Sequence, residues 1–245
     1  MAIEPWRIAK VIRIENETAN TRRYWLQVDE LEKFDFIPGQ FVTLDLPIHE
    51  KKNKRWRSYS IASWPDGTNI FELVIVLMED GAGTSYLFNE VKIGDELTFR
   101  GPVGVFTLPE VLDGDYFFIC TGTGIAPFRS MMHAIALHNT PHKDVYLIFG
   151  TRKKENLLYH AELTELAKNT PGFHYIPVLS REEWDGATGY VHQVYKDIIA
   201  AKKNGDELPP AHFYLCGWKN MIDEAKKTIT EIGYDRKAIH QELYG

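Results

Sequence analysis

Near residues 111–115 the hydrophobic rhythm of this 245-residue chain changes, and that change constrains the fold more than any other feature. Before it, short segments read as strands: Arg23–Val28, Gln40–Leu46, Ile70–Leu77 and Glu96–Phe99. Pro38-Gly39, Pro65-Asp66-Gly67, Asp80-Gly81 and Gly101-Pro102 punctuate them as turns. Strands this short and regularly interrupted predict a small antiparallel barrel or sandwich. After the change, apolar runs at Tyr116–Cys120, Val145–Phe149, Tyr175–Leu179 and Phe213–Cys216 alternate with helical spacing. The helical stretches are Pro127–His138, Glu155–Lys168, Val191–Lys202 and Lys219–Ile232, and a last short strand falls near Ala238–Leu243. Alternation of this kind predicts a parallel sheet of five strands covered by helices on both faces.

Composition narrows the function classes. With 44% hydrophobic residues the chain can fill two modest cores. No apolar stretch approaches the roughly 18 residues of a membrane helix. The start, Met1-Ala2-Ile3-Glu4-Pro5-Trp6, lacks a basic segment followed by an apolar one, so no secretory signal is expected. A net charge of −6 disfavours nucleic acid as a partner. The two cysteines, Cys120 and Cys216, are too few to hold an iron–sulfur cluster, which usually takes four thiolates. Without an export signal they are expected to be reduced, in the cytoplasm. The nine histidines are scattered, no metal-type spacing is present, and no Ser/His/Asp signature stands out.

Cys120-Thr121-Gly122-Thr123-Gly124-Ile125-Ala126-Pro127 follows an apolar strand and opens a helix. Glycines allow close approach of backbone to a phosphate, and a helix N-terminus favours an anion. Pro127 suits the first helical turn. It also stands where the third glycine of a G-x-G-x-x-G fingerprint would be, so a plain strand-to-helix turn remains an open alternative. A barrel beside the carboxyl edge of a parallel sheet would offer a cleft of the kind that holds cofactors.

Taken in order, several segments resemble the ferredoxin–NADP⁺ reductase superfamily. They are Phe36-Ile37-Pro38-Gly39-Gln40-Phe41, Arg57-Ser58-Tyr59-Ser60-Ile61-Ala62, Gly81-Ala82-Gly83-Thr84-Ser85-Tyr86-Leu87 and Gly101-Pro102-Val103-Gly104-Val105-Phe106. Gly122-Thr123-Gly124-Ile125-Ala126-Pro127, Phe149-Gly150-Thr151-Arg152, Ser180-Arg181-Glu182 and Cys216-Gly217 follow. The resemblance implies a six-stranded antiparallel flavin-binding barrel over residues 1–112 and a NAD(P)-binding α/β domain over 113–245. It implies FAD and NADP as cofactors. The activity implied is hydride transfer between NADPH and FAD and single-electron transfer between FAD and a protein such as ferredoxin or flavodoxin. A reductase serving an oxygenase or free flavin, and a non-enzymatic electron-transfer subunit, stay open as alternatives.

The resemblance also assigns residues. Arg57 would neutralise the flavin pyrophosphate, Tyr59 would stack on the isoalloxazine, and Ser58 and Ser60 complete that motif, with the Ser60 hydroxyl near N5. Gly83 and Thr84 would give a second grip on the pyrophosphate, and the backbone of Val74, Ile75 and Val76 would border the ring. Thr123 would line the nicotinamide and flavin contact, Gly122 and Gly124 would accommodate the pyrophosphate of the nicotinamide dinucleotide, and Cys216 would pack beside the nicotinamide or simply be a small buried hydrophobe. Ser180 and Arg181 would hold a 2′-phosphate, Arg152 would bind the same phosphate or the pyrophosphate, and Tyr190 would stack on adenine. Glu182 and Glu183 add negative charge close to Arg181. Gly189 precedes Tyr190 where strong NADP users often carry a basic residue. Trp184 with Gly189-Tyr190-Val191 also resembles some NADH-using reductases. Near the C-terminus Tyr244 would cover the flavin and Glu242 would polarise the nicotinamide or relay a proton. Both alternatively just end the last strand. Lys51, Lys52, Lys54 and Arg55 form a basic cluster that would dock an acidic electron carrier, or would simply be a solvated loop.

Overall fold

The computed structural model describes residues 4–244. The leader reading at Met1–Ile3 and the final Gly245 lie outside the described residues. The chain forms two compact units, one of Met1–Thr107 with Arg129–Ala134, the other of Leu108–Phe128 with Ile135–Gly245.

The first unit is a six-stranded antiparallel barrel. Its strands are β1 (Trp6–Thr18), β2 (Thr21–Gln27), β3 (Phe41–Asp45), β4 (Trp56–Ser60) and β5 (Ile70–Val76), then helix α1 (Ala82–Asn89) and β6 (Glu96–Val103). The order is β4-β3-β6-β1-β2-β5. Buried Val11, Leu26, Val42, Leu44, Phe71 and Phe99 belong to its core. The long first strand escapes a simple period because charges at Arg7, Lys10, Arg13, Glu15 and Glu17 crowd it, and only Ala9 and Val11 are fully buried along it. A register shift between Val11 and Arg13 further breaks its alternation.

The two outer strands of that order meet at one place. Ile61 bridges Leu73, and Ala62 donates its N–H to the Glu72 carbonyl at 2.8 Å. On the other side of this closure, among the described residues, β4 runs in a ladder with β3 and Val74–Val76 in a ladder with β2. Among the described residues the ladder between the two strands is therefore interrupted beyond Ile61 and Leu73. Backbone polar groups need partners when covered, so a slot of this kind is suited to a flat ligand with polar edges.

The second unit is the parallel sheet. In chain order the elements are β7 (Asp115–Thr121), α2 (Ala126–His138, of which Arg129–Ala134 belongs to the first unit), β8 (Val145–Thr151), α3 (His160–Asn169), β9 (Phe173–Leu179) and β10 (Ala187–Thr188). Next come α4 (Val191–Lys202), β11 (Ala211–Trp218), α5 (Lys219–Ile232) and β12 (Ile239–Tyr244). The order is β10-β9-β8-β7-β11-β12, and every pair is parallel. The sheet thus has six strands rather than five. The extra one is two residues long, held by pairing Ala187 and Thr188 with Val178 and Leu179, too short to leave a pattern.

Helix α3 also departs from expectation, starting at His160 rather than Glu155. Tyr159 takes the left-handed conformation (φ 54°) and stops a helix from running through. The break lets Leu157, Leu158 and Tyr159 all bury their side chains. The chain leaves β7 toward β8 on one side and later places β11 on the other. The topological switch point therefore lies at β7, between β8 and β11, and ligands of open parallel sheets bind at the carboxyl ends of strands there.

Candidate functional sites in each unit

In the barrel, alternation sends Arg57 and Tyr59 to the same side of β4 as core residue Ile61, and Ser58 and Ser60 to the other. Tyr59 is half-buried and packs on the core, and burial pushes its phenol well above the ordinary range, so it stays a neutral ring. Ser60 is buried, and Ser58 Oγ lies 3.0 Å from Thr43 Oγ1. Arg57 reaches back to the carbonyls of Lys54 (3.1 Å) and Trp56 (2.8 Å).

The stem of Arg57 lies on the first turn of α1. A β-carbon placed on Gly83 would stand 2.9 Å from Arg57 Cγ and 3.2 Å from its Nε, so only glycine admits this approach. Gly81 is the N-cap of the helix, whose first residue is Ala82. Thr84 folds back: its hydroxyl accepts from the Met78 N–H and donates to the Gly81 carbonyl, both at 3.1 Å. A guanidinium beside the positive end of a helix is unfavourable by itself. An anion between them turns both into attractions, so these residues fit the diphosphate of a flavin dinucleotide. Bracing by Thr84, with the Gly81 N–H donating to the Met78 carbonyl at 3.0 Å, holds the turn from which the first-turn N–H groups of α1 project.

In the second unit the carboxyl ends of β7 and β11 are pressed together by glycines. A β-carbon on Gly124 would meet the Cys216 carbonyl oxygen at 2.4 Å. Gly217 (φ 138°) would meet Thr121 Oγ1 at 2.5 Å. Gly122 (φ 54°) turns the chain into a 3₁₀ turn at Gly122–Ile125 ahead of α2, with Pro127 in the first turn. Thr123 is in the middle of that turn. This is a backbone bed of the kind a dinucleotide takes.

Cys216 is fully buried and in register with Cys120 on one side and Glu242 on the other. Burial first, and then the Glu242 carboxylate, push its thiol well above the usual range. Cys216 is a neutral group at this edge, not a thiolate nucleophile. Glu242 and Tyr244 are half-buried residues of β12 on the same face as Cys216.

Further along the edge, Ser180 N–H and Oγ both donate to the Thr151 carbonyl (2.9 and 3.2 Å), and Arg181 N–H donates to the Arg152 carbonyl (3.0 Å). The two loops run side by side and bring both exposed arginines to neighbouring positions. Glu182 is turned to the Lys154 N–H at 2.9 Å. Tyr190 is 73% exposed at the start of α4, a flat face offered to solvent. Of the basic cluster, Lys51, Lys52 and Lys54 are exposed, whereas Arg55 is engaged by Asp45 at 2.7 Å.

Trp218 was not singled out by sequence reasoning. It ends β11, is 49% exposed and faces the glycine loop. A lone tryptophan after Cys-Gly has no periodic signal, and only the fold brings it beside Gly122.

A slot with a cation-and-helix grip, and a switch-point sheet edge with a glycine bed, define a flavin- and nicotinamide-dependent oxidoreductase. Known proteins agree. Residues 8–108 match the oxidoreductase FAD-binding domain and 118–227 the oxidoreductase NAD-binding domain. Ferredoxin–NADP reductase B of Sorangium cellulosum is 33% identical over 98% of both chains. The phenol hydroxylase P5 protein of Acinetobacter pittii is 32% identical over 96% of this chain but 65% of its own length. A ferredoxin NADP⁺ reductase structure from Neisseria gonorrhoeae, with FAD and NADP bound, superposes with TM-score 0.81 at 25% identity, covering 97% of this chain and 98% of that one. The chain belongs to the ferredoxin–NADP⁺ reductase superfamily of oxidoreductases that act on NAD(P)H through FAD.

Proposed function

We propose that this protein draws reducing equivalents from NADPH and delivers them singly to a small acidic electron-carrier protein of the ferredoxin or flavodoxin kind. The observation that carries the flavin half of this reading is Arg57 lying against Gly83 in the first turn of α1. Taking two electrons as hydride and giving them up one at a time is the chemistry a bound flavin supplies. Residues 1–112 form the flavin domain and 113–245 the nicotinamide domain, a division supported by the two family matches.

The chain's own groups bind, orient and hold protons. Arg57, with the amides of Gly83 and Thr84, holds the flavin diphosphate, and Ser58 keeps β4 in place through Thr43. Tyr59 offers a neutral ring face, Ser60 a hydroxyl, and Val74, Ile75 and Val76 the backbone edge facing away from β2. Gly122, Thr123 and Gly124 hold the nicotinamide dinucleotide, and Cys216 keeps a protonated thiol beside it. Glu242 and Tyr244 stand next to Cys216 as proton-holding and ring-covering groups. Arg152, Ser180 and Arg181 grip a 2′-phosphate, and Tyr190 stacks on adenine. The choice of NADPH is supported by the two neighbouring arginines and by Glu182 being occupied with the Lys154 N–H. Lys51, Lys52 and Lys54 would steer an acidic partner. Two buried free thiols at adjacent register positions suit a reducing compartment such as the cytoplasm.

Parallel titrations of the flavin-loaded protein with NADPH and NADH test the reading. NADPH should bleach the flavin at the lower concentration, and ferredoxin should accelerate cytochrome c reduction. Bleaching by neither nucleotide overturns the reading. Preference for NADH, with no gain from ferredoxin, favours service to an oxygenase, as the phenol hydroxylase relative suggests.

A further inference from the structure

Trp218 is the large aromatic that this sheet edge leaves beside its nucleotide loop, and nothing in the flavin and nicotinamide assignments uses it. Its position is closely fixed. Gly217, at φ 138°, has no room for a side chain against Thr121. The Trp218 N–H points back at Thr121 Oγ1 from 3.5 Å, and α5 begins at the next residue. The backbone on both sides of the indole is therefore held by the end of β7 and by a helix. The residue is 49% exposed, so its ring is within reach of a ligand from solvent.

The orientation of the ring is informative. A β-carbon built on Gly122 would have a single neighbour within ordinary contact range, Trp218 Nε1 at 3.8 Å. Of all its atoms, the indole thus turns its one polar group toward the glycine loop. Indole N–H is donor only. It stands next to the turn whose amides are arranged for an anion, at the switch point where ligands of such sheets bind. Gly122 leaves the space above the loop open in front of that donor.

We propose that Trp218 is a further nucleotide-binding residue, its Nε1–H donating to the diphosphate of the nicotinamide dinucleotide alongside the amides of Gly122–Gly124. This rests on the reading of that loop as the dinucleotide site. It adds a side-chain donor to a grip otherwise made of backbone, and it predicts that the affinity contributed by Trp218 follows the diphosphate rather than the nicotinamide ring.

The test is calorimetric titration of the flavin-loaded protein and its Trp218→Phe variant, which keeps a ring and removes the N–H. Three probes are used: NADP⁺, 2′-phospho-ADP-ribose, which keeps the diphosphate but lacks nicotinamide, and 2′-phospho-AMP, which lacks the diphosphate. A hydrogen bond to a charged group implies a loss of roughly ten-fold or more in affinity for the first two. Binding of 2′-phospho-AMP should be unchanged. Trp218→His, which restores a ring donor, should recover part of the loss, and an unchanged flavin spectrum certifies the fold of each variant. Equal loss for all three probes, or no loss for 2′-phospho-ADP-ribose, overturns the proposal. If NADP⁺ and 2′-phospho-ADP-ribose fail to bind the unaltered protein, the dinucleotide reading itself has failed. If they bind it and Trp218→Phe equally well, only the role of Trp218 has.

Discussion

The barrel and the parallel sheet prepare for an anion by opposite means. In the barrel a mobile side chain does it: Arg57 is laid against the first turn of α1, and Gly83 is small so that the arginine can come close. In the sheet the backbone does it: Gly124 and Gly217 are small so that two strand ends can touch, and the glycine loop is fixed by that contact. The first grip carries a permanent charge and can adjust. The second carries only partial charges and cannot. Tolerance to substitution should therefore differ between the two sites, even for the same change of glycine to alanine.

The largest effect is expected for Gly124→Ala. The added carbon meets the Cys216 carbonyl oxygen at 2.4 Å and its carbon at 2.7 Å, both backbone atoms of a buried central strand. Relief requires moving β11 or the loop, which costs about 3 kcal/mol, the upper end for overpacking a core. On a chain this size that lowers the melting temperature by about 10 °C, and NADP⁺ binding should be lost. Gly83→Ala is the matched comparison, because its closest contact is the flexible stem of Arg57. It should melt within about 1 kcal/mol of the parent. If the two variants lose similar stability, the contrast between rigid and adjustable grips is wrong.

How much of this was legible beforehand follows the same division. The flavin grip shows in the sequence as an arginine leading an alternating strand and a glycine before a threonine. Patterns in sequence report side-chain types well, and both partners of that grip are side-chain facts. The glycine bed was legible as glycines, but not what each one touches. Gly124 against Cys216 joins positions 92 residues apart (216 less 124), and no local pattern encodes that. Trp218 went unread for the same reason, as its meaning comes from Gly122 across the strand pair. Strand β10 was missed because two residues have no period, and the start of α3 because a left-handed Tyr159 cannot be seen in an apolar run that fits a helix equally well.

Next in size is the side-chain grip itself. Arg57→Ala removes charge-assisted hydrogen bonds to the diphosphate, each worth about 1.5–3 kcal/mol. Flavin affinity should fall roughly 100-fold, read as the fraction of FAD retained on ultrafiltration. Arg57→Lys should fall between, since it keeps the charge but loses the planar fork. Neither change should alter the melting of the flavin-free protein by more than about 1 kcal/mol, because among the described residues the Arg57 side chain donates to two carbonyls of its own loop. An alanine variant that retains FAD as the parent does would remove Arg57 from the site.

The amino edge of the parallel sheet supplies the smallest effect and a control for the comparison. There the fixing is again by side chains, but no ligand is involved. Lys202 Nζ donates to Asp115 (2.5 Å) and Asp144 (2.6 Å), and His174 Nε2 donates to Asp144 at 2.8 Å. Burial by itself pushes the Asp144 carboxyl up, but the hydrogen bonds from Lys202 and His174 outweigh it and hold the group at about 2. Its unfolded value is about 3.9, so the unfolded chain takes the proton first. The stabilisation is therefore complete above about pH 4 and disappears as the pH falls through about 2. Because Asp144 is 35% exposed, solvent screening leaves it worth about 1 kcal/mol at most. Asp144→Asn should lose that amount in urea unfolding at pH 7, and the gap to the parent should close toward pH 2. Flavin retention and the affinity for NADP⁺ should not move, because the substitution lies at the strand ends opposite the glycine loop. A shift in NADP⁺ affinity would show that the rigid bed at one edge is set by ion pairs at the other, and the backbone contacts at Gly124 and Gly217 would no longer suffice to explain it.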